Sequence, residues 1–361
     1  MKVRIPVSLT IDNNPVSGLR VTNSLSNSYL KSEILDNELI LSILEYSAEW
    51  VEIDKIIQKL EKYNHTYEYL KNIINLMLER HLLIDEYNSE YKIIESSYSI
   101  WKNYNWDIPF KYHLHTNKLN KIDYLSKEGY IADQKKMEEN NSKSKKPNNY
   151  KEYINSEVIE LERKIENNYN ISSIFSDDVG LDKHKDKITL QEFGKLLYFS
   201  FGQVGVKKDS ITGEHIAKTS PSGGARHPLE TYVFVVDIEG LSPGLYHYSV
   251  KNHTLELINN KDLKTFIINN IICGDTKLNF NMKACFVHTL IFERSMHRYR
   301  EPRSYRAVNY DIGHIMQTTA LVCSSMGINS YRGYSMNDDI VEKAININGI
   351  EESACTYTVI G

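Results

Sequence analysis

Apolar residues recur at helical spacing through the first part of the chain and predict a small helical module over residues 1–95. Residues 38–44 open one amphipathic helix, apolar positions over 50–60 continue the period, and a third stripe runs through 65–83. The apolar run at 82–86 then predicts a short strand. Three helices followed by a strand suggest a winged-helix-like module. Its acidic and neutral helices favour a docking or structural role over DNA binding.

The middle of the chain, residues 96–150, is aromatic and then polar. The segment WDIPFKYHLHT alternates aromatic and polar positions, which predicts a strand or an extended arm. His113 and His115 would point to the same side of such a strand, but no third ligand accompanies them, so a packed arm is favoured over a metal site. Residues 134–150 are charged and contain Pro147, which predicts a solvated linker.

Residues 151–361 mix helical and strand patterns, so we expect one larger domain of the α+β class. Thr189-Leu-Gln-Glu192 is a capping box that begins a helix, and Gly202 is placed to end it. Strands are predicted at 231–236, 244–249, 254–257, 284–292 and 357–361, and a helix at 310–326 with Gly327 as its cap. Neither a GxGxxG nor a GxxxxGK[ST] motif is present, which disfavours a dinucleotide-binding Rossmann site and a P-loop.

Composition narrows the possible partners and the compartment. A formal net charge of −4 gives no sign of a nucleic-acid partner. Four cysteines without CxxC spacing favour buried free thiols in a reducing cytoplasm over a zinc site. The N-terminus lacks an apolar signal core, and no stretch approaches the roughly 18–20 apolar residues of a membrane span. We therefore expect a cytoplasmic protein with no membrane partner.

Two segments carry candidate chemistry. Within residues 219–230, the seven residues 220–226 combine two hydroxyls, two glycines and an arginine, which suits either a ligand-binding loop or an ordinary tight turn. Residues 292–314 carry five arginines with tyrosines between them. Arginine forks recognise phosphate and carboxylate groups, although a solvated basic loop has the same composition. The position of this second segment between an apolar strand and an apolar helix favours the lining of a site.

Three ordered blocks make the interpretation more specific. SPSGGARHPLETYVFV with the following GLYHYSVKNHTLELI, the later RYREPRSYRAVNYDIGHIMQTTALVCSSMGI, and the upstream WKNYNWDIPFKYHLHT resemble the SagB-type, or McbC-like thiazoline oxidase, branch of the FMN-dependent nitroreductase superfamily. That branch includes lanthipeptide dehydroamino-acid reductases. The resemblance covers most of residues 100–361. It implies a nitroreductase-like α+β fold, with a mixed sheet and helices, that forms an intertwined homodimer with FMN at the interface.

The resemblance also implies site residues and partners. The predicted contacts to the flavin or its phosphate are Ser220, Ser222, Gly223, Gly224, Arg226, Arg306 and Arg332. The implied reductant is NAD(P)H, and the implied substrate is a ribosomally made precursor peptide. Other peptide-modifying enzymes are further expected partners.

Two departures from the family pattern matter. The Arg-Arg-Ser motif that often holds the FMN phosphate is replaced by IFSDDVGLDKHKDK, so Lys183 or Lys185 would have to serve. A Lys-Tyr pair of the azoline oxidases aligns with Arg298-Tyr299. Lysine can lose its proton when buried and act as a base, whereas arginine effectively cannot. Arg298 therefore suits reduction better than azoline oxidation.

The sequence thus predicts an FMN-dependent oxidoreductase that modifies a peptide. The favoured reaction is NAD(P)H-dependent reduction of dehydroalanine or dehydrobutyrine to D-amino acids in a lanthipeptide. Arg298 would stabilise the developing negative oxygen and Tyr299 would deliver the proton. Two alternatives stay open: an azoline dehydrogenase that forms thiazoles and oxazoles, and a flavin-less scaffold subunit that binds peptides.

Overall fold

The computed structural model describes residues 1–14, 18–26, 28–31, 37–118, 123, 125–162, 185–272 and 278–361. The chain divides into two compact units, Met1–Asp123 and Tyr124–Gly361. The predicted division at residues 95 and 150 does not coincide with these units, because residue 95 lies inside a helix of the first one. Among the helices of the described ranges, none combines the length and the apolar character needed to cross a bilayer.

The N-terminal unit contains two small antiparallel sheets and several helices. Its strands are β1 (Lys2–Arg4), β2 (Leu9–Asn14), β3 (Gly18–Asn23), β4 (Ser28–Lys31), β5 (Val51–Glu52) and β6 (Ile84–Asp85), and its helices are α1 (Asn37–Tyr46), α2 (Ile53–Lys59), α3 (Tyr67–Glu79), α4 (Ser89–Asn103) and α5 (Asp107–Lys118). One sheet has the order β5-β1-β6 and the other the order β2-β3-β4. The three predicted helices and the strand after them are confirmed as α1, α2, α3 and β6. The sheet formed by β2, β3 and β4 was not predicted.

The aromatic segment at 106–116 is helical, so the predicted strand or arm is wrong. Phe110 and Leu114 are four residues apart, and both are buried in one cluster with Ile94. That spacing belongs to one face of a helix. On a helix, residues two apart point in different directions, so His113 and His115 do not share the side that a strand would give them.

The predicted solvated linker is also helical over much of its length. Residues 134–143 belong to α6 (Lys127–Lys143), which begins after Ser126, whose hydroxyl accepts a hydrogen bond from the Gly129 N–H at 3.0 Å. Asp133 and Met137, one helical turn apart, are its buried residues. Two buried positions among so many charged ones give a very weak apolar period, which explains why the sequence pattern indicated a linker.

The C-terminal unit is built around a seven-stranded sheet whose neighbouring strands all pair antiparallel, whereas a mixed sheet was predicted. After α6 its elements are β7 (Val158–Glu160), α7 (Leu190–Phe201), β8 (Gln203–Asp209), β9 (Gly213–Lys218), β10 (Leu229–Val235), β11 (Gly244–Ser249), β12 (Thr254–Asn259), α8 (Lys264–Phe266), β13 (Ala284–Ile291), α9 (Glu293–Met296), α10 (Tyr305–Ser325), β14 (Ser330–Gly333), α11 (Asp338–Ala344) and β15 (Glu352–Ile360). The strand order is β14-β15-β13-β10-β11-β12-β7. The five predicted strands and the long helix of this domain are confirmed, although β15 and α10 each begin five residues earlier than predicted.

Alternate residues of the central strands belong to two separate hydrophobic cores, one on each face of the sheet. Val233 and Phe286 face a cluster with α7 and α10, whereas Phe234 and Val287 face a cluster that includes residues of α11. The α+β class is therefore confirmed, with helices on both faces of the sheet. The capping box of α7 is also confirmed: the Thr189 hydroxyl accepts from the Glu192 N–H, and the Glu192 carboxylate accepts from the Thr189 N–H.

The cysteines in the described ranges are free thiols. Cys285 and Cys323 are buried and Cys355 is half-buried, which confirms the prediction for these three. Burial raises the pKa of the Cys323 thiol to about 12, so it stays protonated at neutral pH. Cys273 lies outside the described residues.

The C-terminal unit is expected to lose stability as the pH falls below about 6.5. Burial, helped by the Lys218 ammonium, lowers the pKa of His288 to about 3 from its ordinary value of 6.5. At pH 5 His288 is therefore protonated in the unfolded chain but neutral in the folded one. This difference lowers the free energy of unfolding by about 2 kcal/mol. Urea unfolding at pH 7.5 and pH 5 measures the difference. In a His288→Gln variant the change in unfolding free energy between the two pH values should be smaller. In His65→Gln, which replaces an exposed ring, it should equal that of the parent protein. An unchanged difference in His288→Gln would contradict the assignment.

Candidate functional site

The loop between β9 and β10, residues 219–228, is fastened to α10 by one buried carboxylate. Asp311 accepts hydrogen bonds from the Ser222 hydroxyl at 2.6 Å and from the Gly223 N–H at 2.9 Å. The Ser222 oxygen in turn accepts from the His227 N–H at 2.9 Å. Burial raises the pKa of Asp311, and these two donors oppose that shift. The carboxylate therefore fixes the position of the glycine-containing turn.

Gly224 is required at this turn for two reasons. Its φ of +60° lies in the left-handed region that disfavours residues with a side chain. A Cβ atom at Gly224 would also lie 2.0 Å from the hydroxyl oxygen of Tyr299. The phenol thus occupies the space that a side chain would need, so the loop and Tyr299 are in close contact.

A cavity of about 250 Å³, the loop cavity, opens beside this contact. It is lined by the glycine turn and by the segment that leads into α10: Gly223, Gly224, Tyr299, Glu301, Arg303, Ser304, Arg306, Ala307 and Tyr310. Two guanidinium groups, those of Arg303 and Arg306, stand in this wall. Guanidinium groups are well suited to phosphate. The structure therefore brings together four predicted site residues: Gly223, Gly224, Tyr299 and Arg306.

Other predicted flavin contacts do not belong to this lining. The buried Ser220 hydroxyl donates to the Ser200 carbonyl at 2.9 Å, so it holds the loop against the end of α7. The hydroxyl of Ser222 is already engaged by Asp311. Arg332 lies on β14, opposite Thr358 of β15, and is not among the described residues that form the loop cavity. Direct contacts of these three residues with a cofactor stay predictions.

Arg226 supports the turn from behind. Its Nε donates to the Gly224 carbonyl at 2.8 Å, and its Nη2 donates to Nδ1 of His215 at 2.8 Å. Burial, together with the charges of Arg226 and Lys146, lowers the pKa of His215 to about 4. The ring is therefore neutral near pH 7 and can accept this hydrogen bond. In this arrangement Arg226 positions the Gly224 backbone.

The predicted catalytic pair is divided between two tasks. Arg298 donates to both carboxylate oxygens of Asp133 on α6, at 3.1 and 2.5 Å. Its guanidinium carbon also lies 4.8 Å from the centre of the Tyr299 ring. Of the two residues, Tyr299 lines the loop cavity, whereas the charge of Arg298 is balanced by Asp133. Asp133 could not be identified from the sequence as the partner of Arg298, because the two residues are 165 positions apart.

Arg294 joins three parts of the site and was not singled out from the sequence for this task. It is buried, with Nε donating to the Asn148 carbonyl at 3.0 Å and Nη1 donating to the His227 carbonyl at 3.2 Å. Its Nη2 lies 2.6 Å from Glu230 at the start of β10. One guanidinium thus holds the end of the glycine loop and the segment that follows α6.

A buried chain of charges continues from Glu230 into the sheet. His247 lies between Glu230 and Glu256, with nitrogen–oxygen distances of 3.0 and 2.8 Å. Burial opposes ionisation, but Arg294 and His247 together hold the pKa of Glu230 well below its usual range. Against the same effect of burial, the two carboxylates raise the pKa of His247. A glutamate in an otherwise apolar strand, LETYVFV, was the available signal for this network.

Of the two lysines predicted to hold the FMN phosphate, Lys183 and Lys185, only Lys185 lies in the described part of the chain. Most of the segment IFSDDVGLDKHKDK, including Lys183, lies outside the described residues. Lys185 is described, and its ammonium lies 2.6 Å from a carboxylate oxygen of Glu192 at the start of α7. A phosphate contact of either lysine stays a prediction.

Residues 184–361 match the model of the Nitroreductase family. The chain is 32% identical over 273 residues to the trifolitoxin-processing protein TfxB of Rhizobium leguminosarum bv. trifolii. The aligned region covers 71% of this chain and 69% of TfxB.

Two solved structures are similar at lower identity. A candidate nitroreductase from Anabaena variabilis has a TM-score of 0.47 and 22% identity, and the match covers 60% of this chain and 41% of that one. The chain therefore spans less than half of the Anabaena protein. The Escherichia coli microcin synthetase McbBCD complex with truncated pro-MccB17 gives a TM-score of 0.41 and 21% identity, over 58% of this chain and 78% of the matched one.

Proposed function

Because this chain belongs to the nitroreductase family, we propose that it is an FMN-dependent oxidoreductase acting on a ribosomally made precursor peptide. The family predicted from the three sequence blocks is thereby confirmed. Support for a peptide substrate comes from TfxB, which is named for the processing of trifolitoxin. The proposed reaction is the reduction of dehydroalanine or dehydrobutyrine to a D-amino acid in a lanthipeptide, with NAD(P)H as reductant.

The residues of the loop cavity suit FMN. The turn at Gly223 and Gly224 contributes backbone without side chains to the lining, and Arg303 and Arg306 supply the charges that a phosphate needs. When bound, FMN would take a hydride from NAD(P)H and pass one to the peptide. The task left to the protein is to hold the peptide at Tyr299 and to supply a proton.

A second copy of the chain is proposed to complete the site. Tyr310, a residue of the loop-cavity lining on α10, is 63% exposed. An exposed large aromatic side chain next to a site is typical of an interface. An intertwined homodimer would cover Tyr310. Protein partners, including other peptide-modifying enzymes, are proposed to dock on the N-terminal unit.

The pairing of Arg298 with Asp133 is the observation that favours reduction. Azoline oxidation needs a base where Arg298 stands, and an arginine in a bidentate ion pair keeps its proton. In reduction, a hydride adds to the β-carbon of the dehydroamino acid, and the Tyr299 hydroxyl donates its proton to the α-carbon. Solvent then restores the proton to the phenol oxygen. The neighbouring Arg298 guanidinium stabilises the phenolate while it lasts.

Mass spectrometry of two synthetic peptides tests the direction of the reaction. We expect the protein, incubated with FMN and NADPH without oxygen, to add two hydrogen atoms to a peptide that contains one dehydroalanine between leucines. A matched peptide with one thiazoline, incubated in air, should keep its mass. Loss of two hydrogen atoms from the thiazoline peptide would instead support azoline dehydrogenation. No change in either peptide from a colourless protein would support the scaffold alternative.

Weakening the ion pair between Arg298 and Asp133 is expected to slow peptide reduction. Arg298→Lys and Asp133→Asn should each lower the rate about 10-fold, because a single ammonium cannot replace the fork and an amide has only one acceptor oxygen for its two hydrogen bonds, so either change frees the cation from its position at the Tyr299 ring. The rate of the double variant should fall by less than the product of the two single fold-reductions, because both substitutions break the same ion pair. Stopped-flow oxidation of the reduced protein by the dehydroalanine peptide measures the rates.

Arg20→Lys provides a matched control for this pair. The Arg20 guanidinium lies 4.5 Å from the ring centre of Tyr29 in the N-terminal unit, so the substitution alters a similar contact outside the site. It should leave the rate unchanged. An unchanged rate in Arg298→Lys as well would remove the role assigned to Arg298.

A further inference from the structure

A second and larger cavity, the apolar cavity, adjoins the loop cavity. It has a volume of about 560 Å³ and shares Tyr299, Glu301 and Ser304 with the loop cavity. A volume of this size lies in the range of small-molecule pockets. A group held in the apolar cavity would therefore be adjacent to the reacting residue at Tyr299.

The walls of the apolar cavity are largely hydrocarbon. Phe292, Met296, Pro302, Tyr305 and Val308 contribute to them. The rings of Phe292 and Tyr305 are stacked, with centroids 6.2 Å apart and planes 15° apart. Stacked aromatic walls gain most from another flat or branched apolar group.

The polar groups of this cavity are engaged with one another. Arg300 donates from Nη2 to the Ser144 hydroxyl at 2.9 Å and from Nε to the His297 carbonyl at 3.3 Å. Nε2 of His297 lies 3.2 Å from the Ser144 carbonyl, which can only accept, so the ring donates there. Two glutamates, Glu293 and Glu301, also belong to the lining, against the one guanidinium of Arg300, so the net charge of the lining disfavours an acidic group.

We infer that the apolar cavity binds one aromatic or branched aliphatic side chain of the substrate peptide, next to the residue that is reduced. The inference rests on the proposed function and adds to it a substrate class: peptides with an apolar residue adjacent to the dehydroamino acid. Burying such a side chain should strengthen binding about 10- to 100-fold over a glycine at the same position. An acidic residue there should bind no better than glycine, because the lining already carries two carboxylates.

Fluorine NMR with a small probe tests the binding of such a side chain without any enzymatic turnover. The probe is N-acetyl-4-fluorophenylalanine amide, titrated with the full-length protein. We expect N-acetyl-leucine amide to displace it and N-acetyl-glutamate amide to leave it bound. Met296→Glu and Tyr305→Ala should each lower the affinity for the probe at least about 5-fold. The control variants Met296→Leu and Tyr305→Phe should bind the probe as tightly as the parent protein does. Both positions are more than half exposed, at 57% and 52%, so the fold should tolerate the changes.

The outcomes separate this inference from the proposed function. Equal probe binding in the parent protein, Met296→Glu and Tyr305→Ala would overturn the assignment of the cavity, and so would displacement by the glutamate amide. A protein that binds the probe as expected but contains no flavin would overturn the proposed oxidoreductase and leave the cavity assignment standing. Met296 and Tyr305 lie on different helices, α9 and α10, so the two tests are independent.

Discussion

Replacing Tyr299 with phenylalanine is expected to slow the reduction of a dehydroalanine peptide about 1,000-fold, because the proton for the α-carbon then has to come from water. The hydroxyl sits against Gly224 at the loop cavity, and its ring lies under the Arg298 guanidinium. Removal of one oxygen leaves the glycine turn and its bonds to Asp311 in place. Cofactor binding should therefore be unchanged.

The two half-reactions separate a proton donor from a cofactor ligand. Stopped-flow reduction of the bound flavin by NADPH should proceed at the same rate in Tyr299→Phe and in the parent protein. Oxidation by the dehydroalanine peptide should carry the whole loss. Tyr334→Phe, at a side chain that is 82% exposed, should alter neither rate. Equal slowing of both half-reactions would show that Tyr299 serves the cofactor and not the proton transfer.

Replacing Gly224 with alanine is expected to lower the rate of peptide reduction about 100-fold. The new methyl group would require the space of the Tyr299 hydroxyl, and a displacement of about 1 Å at a reacting group can cost a factor of this size. The positive φ should add a stability cost of about 1 kcal/mol. The rate with the dehydroalanine peptide and the urea midpoint measure the two effects.

Gly213→Ala separates backbone strain from the collision with Tyr299. Gly213 has a φ of +75°, but a Cβ atom there meets nothing within 4 Å. This variant should lose similar stability and keep its rate. If Gly224 acts through the phenol, the Gly224→Ala loss should largely disappear in a Tyr299→Phe background. Losses that multiply would contradict the proposed contact.

The parts of the fold that the sequence predicted are those with a strong local period. The helix α7 has a capping box and a buried stripe, and most residues of β10 and β13 are apolar, so local rules suffice. The helix α6 buries two residues among many charges, and α5 contains aromatic residues that mimic an alternating strand. In both, tertiary contacts of a few side chains stabilise a helix whose own period is weak.

The predicted site residues that the structure brings together come from short segments in which a motif also sets the local geometry. The turn at Gly223 and Gly224 and the aromatic group at Tyr299 are such cases. Asp311 and Asp133 were missed, because their partners Gly223 and Arg298 are 88 and 165 residues away. No periodic rule connects residues so distant in the chain. The Ser222 hydroxyl illustrates the same limit, since a motif indicates that a polar group is needed but does not identify its partner.

The most direct test of the central claim is an absorbance spectrum of the purified protein, recorded before and after NADPH is added without oxygen. We predict bands of bound FMN that bleach on reduction by NADPH and return when a dehydroalanine peptide is added. Bands that persist in NADPH would contradict the reductive direction and favour azoline dehydrogenation. A protein that stays colourless after incubation with FMN and gel filtration would contradict the assignment of a flavoenzyme altogether.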